Sequence, residues 1–109
     1  ERKHKIDEAL EMLEKAYAAK NNSPYIIDSM GWAYYLVDDY VKAEIFLKKA
    51  LELMPEDPIV NDHYGDILWK LDRKIQARYF WRNVLNLEET EDEMKKNIKN
   101  KLIKGLTNS

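Results

Sequence analysis

Two carboxylates and an imidazole, those of Asp62, Asp66 and His63, are the groups of this sequence best suited to chemistry. Such a set could bind a metal ion, or it could pair a general base with a carboxylate that orients it. On a helix Asp62 and Asp66 share one face, but His63 points about 100° away from Asp62. No nucleophile accompanies them, and the other histidine, His4, is near the terminus. The pattern therefore predicts a protein that is not an enzyme and that holds no metal or cofactor.

The composition predicts one small helical domain. The chain has 109 residues, of which 45% are hydrophobic and 35% are charged. It is therefore too apolar for disorder and charged enough for helices with one solvated face. Three glycines and three prolines argue against a β protein rich in loops. The absence of cysteine excludes a disulfide framework and a zinc ribbon.

Charge and hydropathy exclude further classes of protein. A formal net charge of −2 gives no general attraction to nucleic acid or to anionic membranes. No apolar run approaches the roughly 20 residues of a membrane span and no signal-peptide core is visible, so membrane insertion is not expected. The absence of cysteine favours the cytoplasm. The chain begins at Glu1 rather than Met, which leaves open a targeting segment upstream.

Apolar residues recur at helical spacing in six segments, and each segment ends at a breaker. The predicted helices are about 3–20, 24–37, 40–53, 58–71, 74–87 and 90–104. A cap residue followed by proline starts two of them, at Ser23–Pro24 and at Asp57–Pro58. Thr90 and Glu93 have the spacing of a capping box before the last helix. Asn21 and Asn22 should end the first helix, and the tail 105–109 should fray.

Aromatic and apolar side chains on the packing stripes are expected to form the core. Tyr34 and Trp81 are assigned to it. The apolar set of the fifth helix is Ile75, Ala77, Phe80, Trp81, Val84 and Leu85.

A period of 34 residues runs through the chain, which is typical of stacked helix–turn–helix units. The pairs that repeat at this distance are Pro24 and Pro58, Gly31 and Gly65, Ala43 and Ala77, and Leu51 and Leu85. A glycine inside a helix costs about 1 kcal/mol relative to alanine. The compensating gain is a close approach between two helices, for which Ala43 and Ala77 provide the matching small residue. Because one unit cannot bury both of its faces alone, neighbouring units must stack.

This pattern resembles the tetratricopeptide repeat. In the unit 24–57 the residues that match its signature are Gly31, Tyr34, Tyr40, Ala43, Ala50, Leu51 and Pro55. In the unit 58–91 they are Gly65, Ala77 and Leu85, and both units lack the characteristic early tryptophan. The stretch from Asp28 to Tyr35 is similar to the last repeats of long bacterial proteins of this family.

The resemblance implies an all-α, right-handed α-solenoid of antiparallel helix pairs. Residues 1–104 would form a single domain, made of a half repeat at 3–20, full repeats at 24–57 and 58–91, and a C-terminal capping helix at 90–104. The function implied is that of a scaffold for protein–protein interaction.

In this family the first helix of each unit lines a concave groove. The matching positions here are Tyr25, Asp28, Trp32, Tyr35, Ile59, Asp62, Asp66 and Trp69. The groove would be acidic and aromatic, whereas family members that clamp a terminal carboxylate use Lys, Asn and Arg. No carboxylate clamp is therefore expected. A peptide or partner helix with Lys or Arg beside an apolar anchor fits better, through ion pairs and cation–π contacts.

Other interpretations of these residues stay open. The aromatic residues Trp32, Tyr35 and Trp69 lie either in the groove or in contacts within and between units, and the three aspartates line either a ligand site or a solvated face. A second hypothesis makes the chain the C-terminal structural cap of a longer array, in which residues 3–20 bind a helix further upstream or, in isolation, a second copy to form a homodimer. The lysines of the last helix could contact RNA or anionic lipid, but a solvated cap face is favoured, so no nucleic acid is expected.

Overall fold

The computed structural model describes residues 2–20 and 23–106, with side chains from Lys5 onward, and this part of the chain is helical. Its helices are α1 (Arg2–Ala19), α2 (Pro24–Leu36), α3 (Tyr40–Leu53), α4 (Pro58–Lys70), α5 (Lys74–Asn86) and α6 (Asp92–Lys104). The predicted all-α class is confirmed. The breaker at Asn21 and Asn22, the fraying of residues 107–109 and the exposure of the His4 side chain lie outside what is described. None of the described helices is long and apolar enough to cross a membrane.

The helices keep the 34-residue period of the sequence. The helices α2, α4 and α6 each have 13 residues, and they begin at Pro24, Pro58 and Asp92, which are 34 positions apart. Helix α1 ends at Ala19, 34 positions before the end of α3 at Leu53. Thus α2, α4 and α6 are first helices of their units, and α1, α3 and α5 are second helices.

The helices form two layers, with first helices on one side and second helices on the other. Within a unit, α2 packs on α3 and α4 packs on α5. Between units, α1 packs on α2, α3 on α4 and α5 on α6, while α2 also touches α4. Each helix is therefore covered by its neighbours along the chain, which is the packing of a solenoid.

The turn inside each full unit is the same in both. Asp38 and Asp72, 34 positions apart, have φ values of 66° and 63° in the left-handed region that aspartate tolerates. The backbone N–H groups of Asp39 and Arg73 donate back over five residues to Tyr34 and Leu68, each at 2.9 Å. This arrangement satisfies the last carbonyl groups of α2 and α4 and turns the chain into the second helix.

The predicted helix starts are confirmed at Asp57 but not at Thr90. The side chain of Asp57 accepts a hydrogen bond from the backbone N–H of Val60 at 3.0 Å, whereas Ser23 makes no such bond before α2. The capping box at Thr90 was a wrong prediction, because Glu91 is the residue that precedes α6. The buried Thr90 hydroxyl instead donates to the carbonyl oxygen of Val84 at 2.6 Å and so satisfies the last turn of α5.

The two helical glycines allow close helix packing, as predicted. A β-carbon at Gly31 would collide with Leu47, and one at Gly65 would collide with Trp81. Leu47 and Trp81 are themselves 34 positions apart, so the same contact recurs with a larger side chain in the second unit. A larger residue at either glycine would force the two helices of its unit apart.

Trp81 is fully buried and Tyr34 is nearly so, which confirms their predicted place in the core. Ile75, which belongs to the apolar set of α5, is 84% exposed. The core side of α5 is instead formed by Ala77, Trp81 and Val84, which are fully buried. Ile75 therefore points outward from the second-helix layer.

Candidate protein-binding groove

The side chains predicted to line a groove belong to α2 and α4, which are neighbouring first helices. They divide into two groups that make different contacts. The upstream half contains Asp28, Trp32 and Tyr35 of α2 together with His63 of α4. The downstream half contains Asp62, Asp66 and Trp69 of α4 together with Lys101 of α6. Two further predicted residues, Tyr25 and Ile59, are exposed in the first turns of α2 and α4.

The upstream half is built on a stack of aromatic rings. Trp32 lies nearly parallel to Tyr35, one turn away on α2, with ring centroids 4.4 Å apart. It also stacks on His63 of α4, with centroids 4.0 Å apart. The Nδ1 atom of His63 is 3.0 Å from the Oδ1 atom of Asp28. All four side chains are half-buried, so they join two units and still present part of their surface to solvent.

Tyr35 provides a neutral hydroxyl to this surface. Burial, followed by the charge of Asp66, raises the pKa of the Tyr35 hydroxyl above its ordinary value. The hydroxyl therefore stays protonated across the physiological range and is able to donate a hydrogen bond. The Tyr35 ring also meets that of Tyr40 at the start of α3, with centroids 5.6 Å apart.

His63 is a member of this cluster that sequence reasoning missed. On its own helix His63 has Asp62 and Asp66 nearby in sequence, but their side chains point elsewhere. Its partner Asp28 is 35 positions away, which is one repeat plus one residue. The 34-residue period could have identified this pair, because residues about one repeat apart lie close together on neighbouring first helices.

The downstream half is already occupied by a lysine of the same chain. The Nζ atom of Lys101 donates to Asp62 Oδ1 at 2.8 Å and to the two carboxylate oxygens of Asp66 at 3.0 and 3.2 Å. Asp66 is buried and also accepts a hydrogen bond from Trp81 Nε1 at 3.0 Å. Helix α6 therefore closes this part of the groove with an ion pair that involves two carboxylates.

The electrostatics of the downstream half are strongly coupled. Burial, together with the charge of Asp62, raises the pKa of Asp66 from 3.8 to about 6, although Lys101 and Trp81 act in the opposite direction. Burial lowers the pKa of Lys101, but Asp66 and Asp62 more than offset this effect and the pKa lies above its ordinary value. Lys101 is therefore charged at neutral pH, whereas the pKa of Asp66, at about 6, lies close to neutral pH.

Trp69 makes its contacts within the chain. Its ring stacks on that of Trp81 with centroids 5.4 Å apart, and Gly105, with a φ of 69°, leaves room for it beneath the end of α6. The Lys74 ammonium and the Arg78 guanidinium lie 4.8 and 5.5 Å from its centroid. The cation–π contact expected from a partner is therefore already made by α5.

Asp62, His63 and Asp66 do not converge on a common point. His63 contacts Asp28, whereas the two carboxylates bind Lys101. Among the side chains that the structure describes, no three His, Cys, Asp or Glu residues are placed to hold a metal ion. The upstream half exposes parts of aromatic rings, a hydroxyl and a carboxylate.

Solved structures with the same arrangement of helices decide the fold. The chain is similar to the first tetratricopeptide-repeat domain of Spaghetti (RPAP3) bound to the HSP90 peptide SRMEEVD, with a TM-score of 0.77 and 21% identity, covering 91% of this chain and 79% of that one. It is similar to the first such domain of human RPAP3, with a TM-score of 0.78 and 21% identity, covering 98% of this chain and 84% of that one. The chain has the tetratricopeptide-repeat fold. The predicted resemblance and the solenoid architecture are thereby confirmed.

Sequence relatives agree with the tetratricopeptide-repeat fold. A TPR repeat-containing protein of Pseudomonas aeruginosa is 33% identical over 66 residues, which cover 61% of this chain and 11% of that protein. Anaphase-promoting complex subunit 3 of Schizosaccharomyces pombe is 24% identical over 82 residues, which cover 75% of this chain and 12% of that protein. The chain thus spans about an eighth or less of the curated relatives it matches. No family model matches it.

Proposed function

We propose that this chain binds a segment of another protein in the upstream half of its groove and has no chemistry of its own. The partner segment carries Lys or Arg beside an apolar or aromatic anchor. A neighbour with the tetratricopeptide-repeat fold is bound to a peptide, which supports a general role in protein–protein interaction. The observation that carries the proposal is the half-buried stack of Trp32 with Tyr35 and His63, beside the carboxylate of Asp28.

The upstream half combines features that favour affinity. Tyrosine and tryptophan dominate the residues that contribute most to protein interfaces. Tyr25 is exposed one turn before Asp28 and extends the aromatic surface toward the start of α2. Asp28 is paired with the His63 imidazole, whose Nδ1 atom is 3.0 Å from Asp28 Oδ1, and not with an ammonium or guanidinium group. A lysine or arginine of a partner is therefore able to improve the electrostatics of Asp28.

The contacts of Lys101 in the downstream half support the choice of a basic partner. Lys101 shows that an ammonium group fits between carboxylates of α4 when the next first helix carries it across the groove. Because Lys101 already fills that position, a partner would have to displace it before it could use Asp62 and Asp66. The partner is therefore proposed to contact Asp28 first.

The charge of the groove separates this chain from the peptide-bound neighbour. That neighbour holds SRMEEVD, which has three carboxylate side chains near its end. An acidic peptide would meet Asp28 without a compensating cation on the same helix face. We therefore expect SRMEEVD not to bind this chain at concentrations where a selected basic peptide saturates it, and fluorescence anisotropy would measure both.

A selection experiment tests the proposal. A displayed library of random peptides is panned on the wild-type chain, and the enriched peptides are expected to carry Lys or Arg next to an aromatic or aliphatic residue. Their affinity is then measured on Asp28→Lys and Trp32→Ala. Each substitution should weaken binding by about tenfold or more, since each removes a central contact of the proposed site.

A matched control separates the site from the overall charge. Glu52→Lys makes the same change of charge as Asp28→Lys but lies exposed on α3, in the other layer of helices. It should leave the affinity unchanged. If Asp28→Lys binds the selected peptides as well as wild type does, or if Glu52→Lys weakens them equally, the upstream half is not the binding site.

A second candidate function rests on the open face of α1. The residues of α3 that pack against α2, Ala43, Leu47 and Ala50, are fully buried. Their counterparts 34 positions earlier in α1 are Ala9, which is exposed, and Leu13 and Ala16, which are half-buried. Met12 beside them is also exposed. This face is proposed to pack against a second copy of the chain, as in the hypothesis of a homodimer through residues 3–20.

Light scattering decides this second candidate. A homodimer predicts a mass that rises toward twice that of one chain as concentration increases, and Ala9→Glu combined with Met12→Glu should return it to one chain. A single-chain mass at every concentration, even at low ionic strength, would reject it. Because the groove residues are not altered, peptide binding should survive in the double variant.

A further inference from the structure

Four of the large apolar side chains that are exposed on the second-helix layer, away from the groove, recur at the repeat period. They are Val41, Ile45, Ile75 and Tyr79, and they are between 61% and 84% exposed. We call these four residues the outer stripe. None of them is needed for the core, because α3 and α5 bury other residues against their partner helices. An exposed set of this kind generally marks a surface that another molecule covers.

The outer stripe follows the repeat, which separates it from scattered surface residues. Val41 and Ile45 are four positions apart on α3, so they share one face. Ile75 and Tyr79 have the same spacing on α5 and lie 34 positions further along the chain. The repeat therefore places the two pairs at the same point of successive units, on the same side of the molecule.

A positive charge follows each pair at the next turn. Lys48 comes three positions after Ile45, and Arg82 comes three positions after Tyr79, and both are exposed. Helix α5 contains no acidic residue, and its Lys74 and Arg78 lie over the Trp69 ring. The outer stripe is thus apolar with two exposed cations at its margin, Lys48 and Arg82, against one exposed carboxylate, Glu52, one turn after Lys48.

The corresponding face of α1 has the reverse character. The positions 34 residues before Val41, Ile45 and Lys48 are Asp7, Glu11 and Glu14. The repeat architecture alone therefore does not require an apolar and basic face at these positions. The contrast indicates that α3 and α5 carry it for a purpose other than folding.

We infer that the outer stripe binds an amphipathic helix of another protein whose apolar face is flanked by Asp and Glu. The apolar pairs would accept the buried face of such a helix. Lys48 and Arg82 would pair with its carboxylates and set its orientation. The chain would then present two surfaces of opposite charge, one on each layer, and could hold two different partners at once.

A library of helical peptides tests this inference. The displayed peptides keep a fixed apolar face, and their flanking positions vary among Asp, Glu, Lys and Arg. Panning on the wild-type chain is expected to enrich Asp and Glu at the flanks. Affinity for the enriched peptides should fall as salt rises, because the carboxylates contribute at an exposed surface.

Two pairs of variants map the binding surface. Val41→Asp with Ile45→Glu gives α3 the pattern that α1 already has, and Ile75→Asp with Tyr79→Glu does the same for α5. Each pair should lower affinity by about tenfold or more while leaving the unfolding temperature close to that of wild type, since these side chains are exposed. The groove variant Asp28→Lys should bind the enriched peptides as wild type does.

The opposite results would overturn the inference. It is wrong if no peptide is enriched, if the enriched flanks are basic, or if both stripe variants keep full affinity. Light scattering adds a further outcome: a dimer that the stripe variants disrupt would make the occupant a second copy of this chain and would exclude the acidic helix. Loss of binding in Asp28→Lys alone would assign the peptides to the groove instead.

Discussion

The two halves of the groove use the same repeat positions in different ways. Asp28 of the upstream half corresponds to Asp62 of the downstream half, one repeat later. In both halves the carboxylate is bridged by a side chain from the next first helix. Upstream this is the His63 imidazole, which brings a ring, and downstream it is the Lys101 ammonium, which brings a full charge. Whether a carboxylate at this repeat position is available to a partner is therefore decided by the side chain of the next first helix, and not by the position itself.

This difference divides the groove between stability and binding. The downstream half joins α4 to α6 through Lys101 and buried Asp66, which also accepts a hydrogen bond from Trp81 of α5, so it is part of the folded structure. The upstream half joins α2 to α4 through half-buried rings that keep some exposed surface. Substitutions in the two halves should accordingly differ in their effect on the free energy of unfolding.

The largest difference is expected between the two tryptophans Trp81 and Trp32. Trp81→Ala removes a fully buried ring and the hydrogen bond to Asp66, so it should lower the free energy of unfolding by about 4 kcal/mol. Trp32→Ala removes a half-buried stack and should cost about 1 kcal/mol. Urea unfolding followed by circular dichroism measures both. Equal losses would contradict the division of the groove.

The pH dependence of stability tests the burial of Asp66. Its pKa of about 6 is above the ordinary 3.8, so the folded state binds its proton more tightly than the unfolded chain does. The free energy of unfolding should therefore fall as the pH rises from 3.8 to about 6, by about 3 kcal/mol for this group, and change little above that. The raised pKa of Lys101 acts only at alkaline pH and does not disturb this window.

The variant Asp66→Asn is the control for this pH dependence. It cannot ionise, so the difference between its pH profile and that of wild type isolates Asp66. A profile parallel to that of wild type through the acidic range would show that the buried carboxyl group does not titrate there.

The bridge to α6 is tested by Lys101→Met. This substitution keeps most of the side-chain volume but leaves Asp62 and Asp66 without their counter-charge, and it should cost about 2 kcal/mol because the bridge is only partly exposed. Lys104→Met, one turn away and exposed, should cost less than about 0.5 kcal/mol. Thermal unfolding of both variants measures the difference. Similar melting temperatures would mean that α6 is not held by its lysine.

Among the substitutions in the groove, the smallest effect is expected at His63. His63→Ala removes one ring from the upstream stack and leaves Asp28 partly exposed, so it should cost about 1 kcal/mol or less. The near-ultraviolet circular dichroism of Trp32 should change, because its ring loses a stacked neighbour. A cost comparable to that of Lys101→Met would show that the upstream half stabilises the fold as much as the downstream half does.

Much of the fold could be predicted from the sequence because its determinants are local or periodic. Helical spacing and breakers gave the six helices. The 34-residue period identified Gly31 and Gly65 as points of close packing. The repeat also identified which helices come first in their units. This assignment rests on the period and does not depend on any single contact.

The state of the groove could not be predicted, because it depends on contacts between distant residues. Lys101 is 39 positions from Asp62, and only the placement of α6 brings them together. Spacing along a helix also cannot tell an apolar pair that faces the core from one that faces solvent, as the exposed Ile75 shows. Thr90 had the pattern of a cap, but its hydroxyl donates to the carbonyl oxygen of Val84 in the last turn of α5.

The register of α6 gives the molecule a direction. Lys99 holds the position that Gly31 and Gly65 hold in the earlier first helices, and Lys95 holds that of Ile27. A helix approaching α6 as α3 approaches α2 would meet two ammonium groups that remain hydrated. At the opposite end α1 offers an apolar face with the small side chain of Ala9. We therefore expect a neighbouring helix to pack more readily against the α1 end of the stack than against the α6 end.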